Sequence, residues 1–132
     1  MNLARILSDE LLATVEKPSR YLGTEVNSVH KDRAGVDLRL ALCFPDLYDL
    51  GLGNLGLHIL YAVLNGVDGV WAERVYAPAR DLEAALRARG LPLFANESKD
   101  SLDQFDGIGF TLQSELTFTN ILNILEIGRA HV

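Results

Sequence analysis

The spacing of apolar positions along this chain changes several times, and each change marks an element. Leu3, Ile6, Leu7, Leu11, Leu12 and Val15 recur mostly three and four residues apart. That is the period of one helix face, so residues 1–16 are expected to form a short amphipathic helix, ended by Pro18. A polar link through Tyr21–Asn27 follows. From Val36 to Phe44 the chain first alternates and then becomes continuously apolar, which predicts a strand whose far end is buried. Pro45, Gly51, Gly53 and Gly56 mark a loop. Asn54 stands where it would cap a helix carrying Leu57, Leu60, Ala62, Val63 and Leu64 and closed by Asn65-Gly66. Val70–Tyr76 predicts a second strand, Pro78 a turn, Asp81–Arg89 a helix stopped by Gly90, and Leu91–Phe94 a short extended piece. A polar loop from Asn96 to Asp106 leads to a strand over Gly107–Thr111. After it comes a helix from about Glu115, with Leu116, Ile121, Leu122 and Leu125 on its apolar side.

Strand and helix therefore alternate three times, which predicts an α/β fold: a mainly parallel sheet with helices on its faces, joined by right-handed crossovers. Ligands of such sheets gather at the carboxyl ends of the strands. Two loops lie there, Phe44 to Asn54 and Leu112 to Glu115, and both are polar and rich in turn residues.

In the first loop, Asp46, Tyr48 and Asp49 offer carboxylates and a phenol, for which solvation or capping is the alternative to a ligand role. In the second, capping accounts for Ser114 and Glu115 but leaves Gln113, Thr117 and Asn120 unexplained. Gly51, Gly53 and Gly56 form Gly-x-Gly-x-x-Gly between a strand and a helix. The stretch from Phe44 to Gly51 is about seven residues too long for a phosphate turn, so a tight turn with close helix packing is expected instead. Cys43 reads as a small core residue, His58 as partly buried or surface, and Arg74 and Arg80 as solvated flanks of a turn.

Composition narrows the function classes. At 132 residues, 48% of them hydrophobic and 23% charged, the chain suits one globular domain. Its apolar runs are far shorter than the roughly 20 residues that cross a bilayer, and Asp9 and Glu10 interrupt the N-terminus before a secretory h-region develops. No membrane association and a cytoplasmic location are expected. The net charge of −6 disfavours general adhesion to nucleic acid. With a single cysteine, Cys43, the chain alone supplies no disulfide, no multi-cysteine zinc site and no iron–sulfur ligand set. No Ser/His/Asp set, catalytic carboxylate pair or metal-ligand spacing is present.

Several stretches taken together go further: Lys17-Pro18-Ser19-Arg20-Tyr21-Leu22-Gly23, continuing to Asn27; Phe44-Pro45-Asp46-Leu47-Tyr48-Asp49-Leu50-Gly51, continuing to Leu57; Ala72-Glu73-Arg74-Val75-Tyr76-Ala77-Pro78; and Gly109–Asn123. In order and spacing, over about residues 15–125, they resemble the N-terminal region of radical S-adenosylmethionine (radical SAM) proteins that carry a cobalamin-binding-like domain ahead of the radical core. The resemblance implies a Rossmann-like first domain. It also implies a following barrel-type core whose Cys-x-x-x-Cys-x-x-Cys motif holds a [4Fe–4S] cluster and cleaves S-adenosylmethionine. That motif does not occur here, so no catalysis is expected from this chain alone. Relatives that hold cobalamin through a histidine carry Asp-x-His-x-x-Gly after the first strand, and no Asp-x-His occurs in this sequence. Either a corrinoid binds without that ligand or the domain has kept the fold and lost the cofactor. On this reading Asp46, Tyr48 and Asn54 with Gln113, Glu115, Thr117 and Asn120 form the cofactor-facing surface, turned toward the missing core as partner. No catalytic or metal-ligating residue is expected. A stand-alone α/β binding module for a nucleotide or corrinoid, or an interaction domain, is the alternative.

Glu126–Val132 breaks the apolar pattern and leaves the resemblance in mid-helix. Written back into codons it fits GAG ATC GGA AGA GCA CAC GTC, a common sequencing-adapter sequence whose next triplet is a stop. The expectation is therefore a helix over 1–16, an incomplete Rossmann-like domain over 17–126, and a non-native tail over 127–132.

Overall fold

A computed structural model describes residues 3–128 of the chain. The elements in order are α1 (Leu3–Leu12), β1 (Leu38–Phe44), α2 (Tyr48–Gly51), α3 (Leu55–Asn65), β2 (Val70–Tyr76), α4 (Arg80–Arg89), β3 (Gly107–Phe110) and α5 (Phe118–Gly128). Short 3-10 turns lie at Pro18–Tyr21, Arg33–Gly35, Leu102–Gln104 and Glu115–Thr117. The strands form one parallel sheet in the order β2-β1-β3, with Leu38 opposite Val70 and Leu40 opposite Gly107. The architecture is α/β and Rossmann-like, as expected.

The period-two alternation of β1 sorts its side chains between two cores. Ala41 and Cys43, with Val75 of β2, face the larger one, which is filled by Leu11 and Leu12 of α1, Leu82 and Leu86 of α4, and Ile124 and Ile127 of α5. Leu42 and Phe44, with Ala72 and Tyr76, face the smaller one beneath Leu57 and Tyr61 of α3. The chain thus crosses from β1 to β2 on one face and from β2 to β3 on the other. This leaves a topological switch between β1 and β3, where open α/β sheets bind ligands.

Several elements differ from expectation. The first helix ends at Leu12, although Val15 still reaches the core; Met1 and Asn2 lie outside the described residues. β1 begins at Leu38 rather than Val36, because the N–H groups of both Asp37 and Leu38 converge on the Gly69 carbonyl before regular pairing starts. The extended piece 91–94 is not a strand and makes a single antiparallel bridge, Phe94 to Ser101. The segment 96–106 is no solvated loop: Asn96, Glu97, Lys99 and Asp100 are all buried.

The last helix starts with a 3-10 turn and buries Ile124 and Ile127, while Leu116 and Leu122 of its expected apolar side stand in solvent. It seats on Leu102, where Gly128 is needed because a Cβ there would lie 2.6 Å from Leu102 Cδ1. The helix runs past Glu126 to Gly128, and the Ile127 carbonyl accepts a hydrogen bond from Leu93 N at 3.1 Å. Residues 129–132, which include His131 and the rest of the expected tail, lie outside the described residues.

Candidate functional site

At the carboxyl end of the sheet the two predicted loops meet. Asn120, at the start of α5, donates from Nδ2 to the Pro45 carbonyl at 2.9 Å and so ties the second loop to the first. Asp46 accepts from Leu47 N at 2.8 Å, and its carbonyl accepts from Ala77 N at 3.0 Å, which brings the end of β2 to the same place. Tyr48 opens α2. Its ring meets Tyr76 edge-on at 5.2 Å, and its hydroxyl donates to Glu25 Oε1 at 2.5 Å. Asn54 caps α3 by accepting from Leu57 N at 2.8 Å. Thr117 donates to the Ser114 carbonyl at 2.7 Å and closes a turn, and Gln113 and Glu115 are exposed. The seven residues therefore share one end of the sheet but are employed differently: Asp46, Asn54 and Thr117 shape turns, Tyr48 and Asn120 tie elements together, and Gln113 and Glu115 face solvent.

Two buried hydroxyls at this end, Tyr76 Oη at the end of β2 and Thr111 Oγ1 just after β3, have no hydrogen-bond partner among the described residues. An unpaired buried hydroxyl is costly. Sequence reasoning placed both only as strand ends and gave neither a site role, because a Tyr closing an apolar strand and a lone Thr carry no periodic signal. The glycine pattern is no phosphate cradle: Gly51 closes α2, where a Cβ would lie 2.3 Å from the Tyr76 ring, and the N-terminus of α3 is occupied by Asn54.

The main surprise is a charge network along the outer edge of β2. Arg74, expected in solvent, is buried, whereas Arg80 is exposed as expected. Arg74 Nε donates to Glu97 Oε1 at 2.6 Å and its backbone N–H to Glu97 Oε2 at 2.9 Å, while Nη2 reaches Glu25 at 2.9 Å. Tyr61 adds its hydroxyl to Glu97 at 3.0 Å, and the Arg74 guanidinium lies over the Tyr61 ring. Burial pushes the Glu97 carboxyl up, with the Arg74 guanidinium and N–H pulling the other way. Burial also raises Glu25, but the hydrogen bonds from Arg74 and Tyr48 outweigh it and hold that carboxyl below its ordinary value. Burial, reinforced by Glu25, raises the Tyr48 phenol.

One residue earlier in β2, on the opposite face, the fully buried Glu73 binds Arg39, which also reaches Asp100 at 2.9 Å and stacks between Trp71 and Phe105. Glu73 accepts from Ser98 N at 2.8 Å, and Asn96 N donates to the Arg74 carbonyl at 2.9 Å. Segment 95–100 thus stands in for a neighbouring strand and covers the edge of β2. Lys99, at φ 65°, sends its ammonium to the carbonyls of Tyr21, Leu22 and Asn96, and burial lowers its pKa to about 8. The one sequence signal for this network is the pair Glu73-Arg74 inside an otherwise apolar strand, since buried charges require partners.

An open cleft of about 570 Å³ beside this network is lined by Arg5, His30, Lys31, Arg33, Trp71 and the loop 97–98. Two of its cations are engaged by the fold: Lys31 donates to the Asn65 and Val70 carbonyls, and Arg33 pairs with Asp100. Elsewhere His58 is turned onto the Leu52 carbonyl. Cys43 is a core residue as expected, and burial pushes its thiol up. Among the described residues no group of three or more His, Cys, Asp or Glu side chains is placed to hold a metal ion, and no helix is long and apolar enough to cross a membrane.

Neither curated proteins nor solved structures return a match to this chain. The family model described as radical SAM proteins, N-terminal, matches residues 56–132. The match runs from the first turn of α3 through β2, α4, β3 and α5. The Lys17–Asn27 stretch and nearly all of Phe44–Leu57 lie ahead of it. With more than half of its length matched, the chain belongs to the family of radical SAM protein N-terminal regions.

Proposed function

We propose that this chain is the N-terminal domain of a radical SAM iron–sulfur enzyme, and that it packs against a downstream core which carries the [4Fe–4S] cluster, cleaves S-adenosylmethionine and does the chemistry. The family match over residues 56–132 carries this reading. The residues present do not fit a cluster: one cysteine, buried in β1 with its thiol pushed toward the neutral form, is the wrong donor for iron, which takes thiolates. Nor do they fit a corrinoid held by a histidine, since Pro45-Asp46-Leu47-Tyr48 follows β1 and His58 is held by Leu52. On this reading the domain keeps the Rossmann-like sheet without that cofactor. Its carboxyl edge, with Asp46, Tyr48, Asn54, Gln113, Glu115, Thr117 and Asn120, faces the active site of the core.

Sequencing the locus downstream of codon 126 from unfragmented template tests the reading. An open frame running into Cys-x-x-x-Cys-x-x-Cys supports it, and codons 127–132 that encode different residues make the present ones foreign to the protein; a genomic stop after Val132 overturns it. In the full-length enzyme, Gln113→Ala and Glu115→Ala should lower activity without moving the unfolding midpoint, since neither side chain is buried.

A second reading, a binding module for a nucleotide or a corrinoid without a histidine ligand, is favoured by one observation: the unpartnered hydroxyls of Tyr76 and Thr111 at the carboxyl end of the sheet. Calorimetric titration of the 132-residue chain with ATP and with cobalamin separates the two, because the first reading expects no tight complex with either.

A further inference from the structure

The helix α3 contains no charged residue, yet it buries only Leu57 and Tyr61. Ile59 is 52% exposed and Val63 61% exposed. A helix that is apolar on all sides is one that is covered on all sides. Its flank toward β2 is fixed by Asn65, which exchanges hydrogen bonds with Ala72 N and O. By the 100° step of the helix, Leu60 and Val63 lie on the other flank, above β1 and β3. There the sheet offers almost no side chains. Cβ atoms built on Gly107 and Gly109 would point at Leu40 and Leu42 on this face, so β3 contributes a bare glycine floor beside the half-buried Leu40. Strand glycines of this kind admit the close approach of another backbone.

The outer edge of β3 is equally bare. Among the described residues no strand pairs with it, and Gly107-Ile108-Gly109-Phe110 carries none of the lysines or prolines that guard free edges. On the far face, Asn123 and Glu126 of α5 bind Arg87 of α4. By the 100° step of the helix, Phe118, 53% exposed, and the half-buried Ile121 and Leu125 lie on the flank of α5 away from Asn123 and Glu126, next to that same edge.

The direction of the chain identifies the occupant. The crossover from β2 to β3 passes β1 on the α4 face, and α5 leaves β3 on that same face. Right-handed crossovers keep their direction when they keep their face, so the segment after α5 is delivered to the free edge of β3. We infer that the polypeptide following α5 in the full-length protein adds a parallel strand to β3, under Phe118, Ile121 and Leu125, and returns as an apolar helix beside α3 over Gly107 and Gly109. This inference rests on the reading of the chain as an N-terminal domain and specifies which surface the remainder of the protein occupies.

The test is amide hydrogen exchange on the full-length product of the locus against the 132-residue chain. At least tenfold slower exchange for the amides of 107–110 in the longer protein is expected. In addition, Val63→Asp should cancel the protection in the longer protein while leaving the unfolding midpoint of the 132-residue chain unchanged. Equal exchange at 107–110 in a product that does carry the cluster motif overturns the inference and leaves the N-terminal-domain reading standing. A genomic stop after Val132 removes both. Protection in the 132-residue chain that grows with protein concentration assigns the edge to a second copy and also overturns it.

Discussion

Replacing Glu97 by glutamine tests the central claim about what holds this sheet edge in place. Both carboxylate oxygens face donors only: Oε1 receives Arg74 Nε at 2.6 Å and Tyr61 Oη at 3.0 Å, and Oε2 receives Arg74 N at 2.9 Å. An amide of the same shape must turn its NH2 toward one of these donors. Turned toward Arg74 N, it leaves a buried backbone N–H unpaired, at a cost of about 1–3 kcal/mol. It also removes one of the two anions that compensate the buried guanidinium, a change that costs about 3–5 kcal/mol where no other partner exists. Glu25 remains at 2.9 Å but is the more exposed of the two, so it replaces part of that loss. The two effects overlap, and the expected net loss is about 3 kcal/mol. With a urea m-value of about 1–3 kcal/mol/M for a domain of this size, the unfolding midpoint falls by about 1–3 M. Arg74→Met supplies the control. In that background Glu97 is itself a stranded charge, so the same substitution should cost little, giving a coupling of about 2 kcal/mol or more in a double-mutant cycle. A loss below about 1 kcal/mol, or an equal loss in both backgrounds, would refute the reasoning.

Gly51→Ala should destabilise the chain by about 1–3 kcal/mol in urea unfolding, because its Cβ would lie 2.3 Å from the Tyr76 ring. Gly53→Ala, where the nearest atom is 3.9 Å away, should stay within about 0.5 kcal/mol. Asn54→Ala removes the cap of α3 and should cost about 1 kcal/mol in the same assay, whereas Asn54→Ser should restore most of it. Lys99, with a pKa of about 8 in the fold against 10.5 when free, gives a pH dependence of defined sign. Between those values the unfolded chain holds a proton that the folded chain has released, so stability rises with pH. The gain is about 2 kcal/mol from pH 7.5 to 9.5, before the raised tyrosines begin to oppose it. Lys99→Met should flatten that slope, and a slope that survives the substitution would assign it to another group.

How far the sequence determined this protein depends on whether the relevant forces are local. Alternation in Leu38–Phe44 and the apolar run Val70–Tyr76 require buried strands, Asn54 requires a helix start, and Gly90 ends α4 in the left-handed conformation at φ 63°. Each is settled within a few residues, and three strands separated by helices leave little choice but a parallel sheet. The same reasoning fails for α5. Its apolar residues surround the helix, so period alone does not select a face; Leu102, Leu93 and the bond from Asn120 to Pro45 do.

It fails most clearly for Glu97, Lys99 and Asp100, which in one dimension belong to a polar loop. The partners that make their burial affordable are remote: Arg74 is 23 residues from Glu97, and the Tyr21 carbonyl is 78 residues from Lys99. Hydrophobic periodicity records which side of an element avoids water, and that is a property of the element itself. Whether a charge can leave water depends on finding an opposite charge or a set of carbonyls at hydrogen-bond distance, and only the packing of β2 against segment 95–100 supplies them.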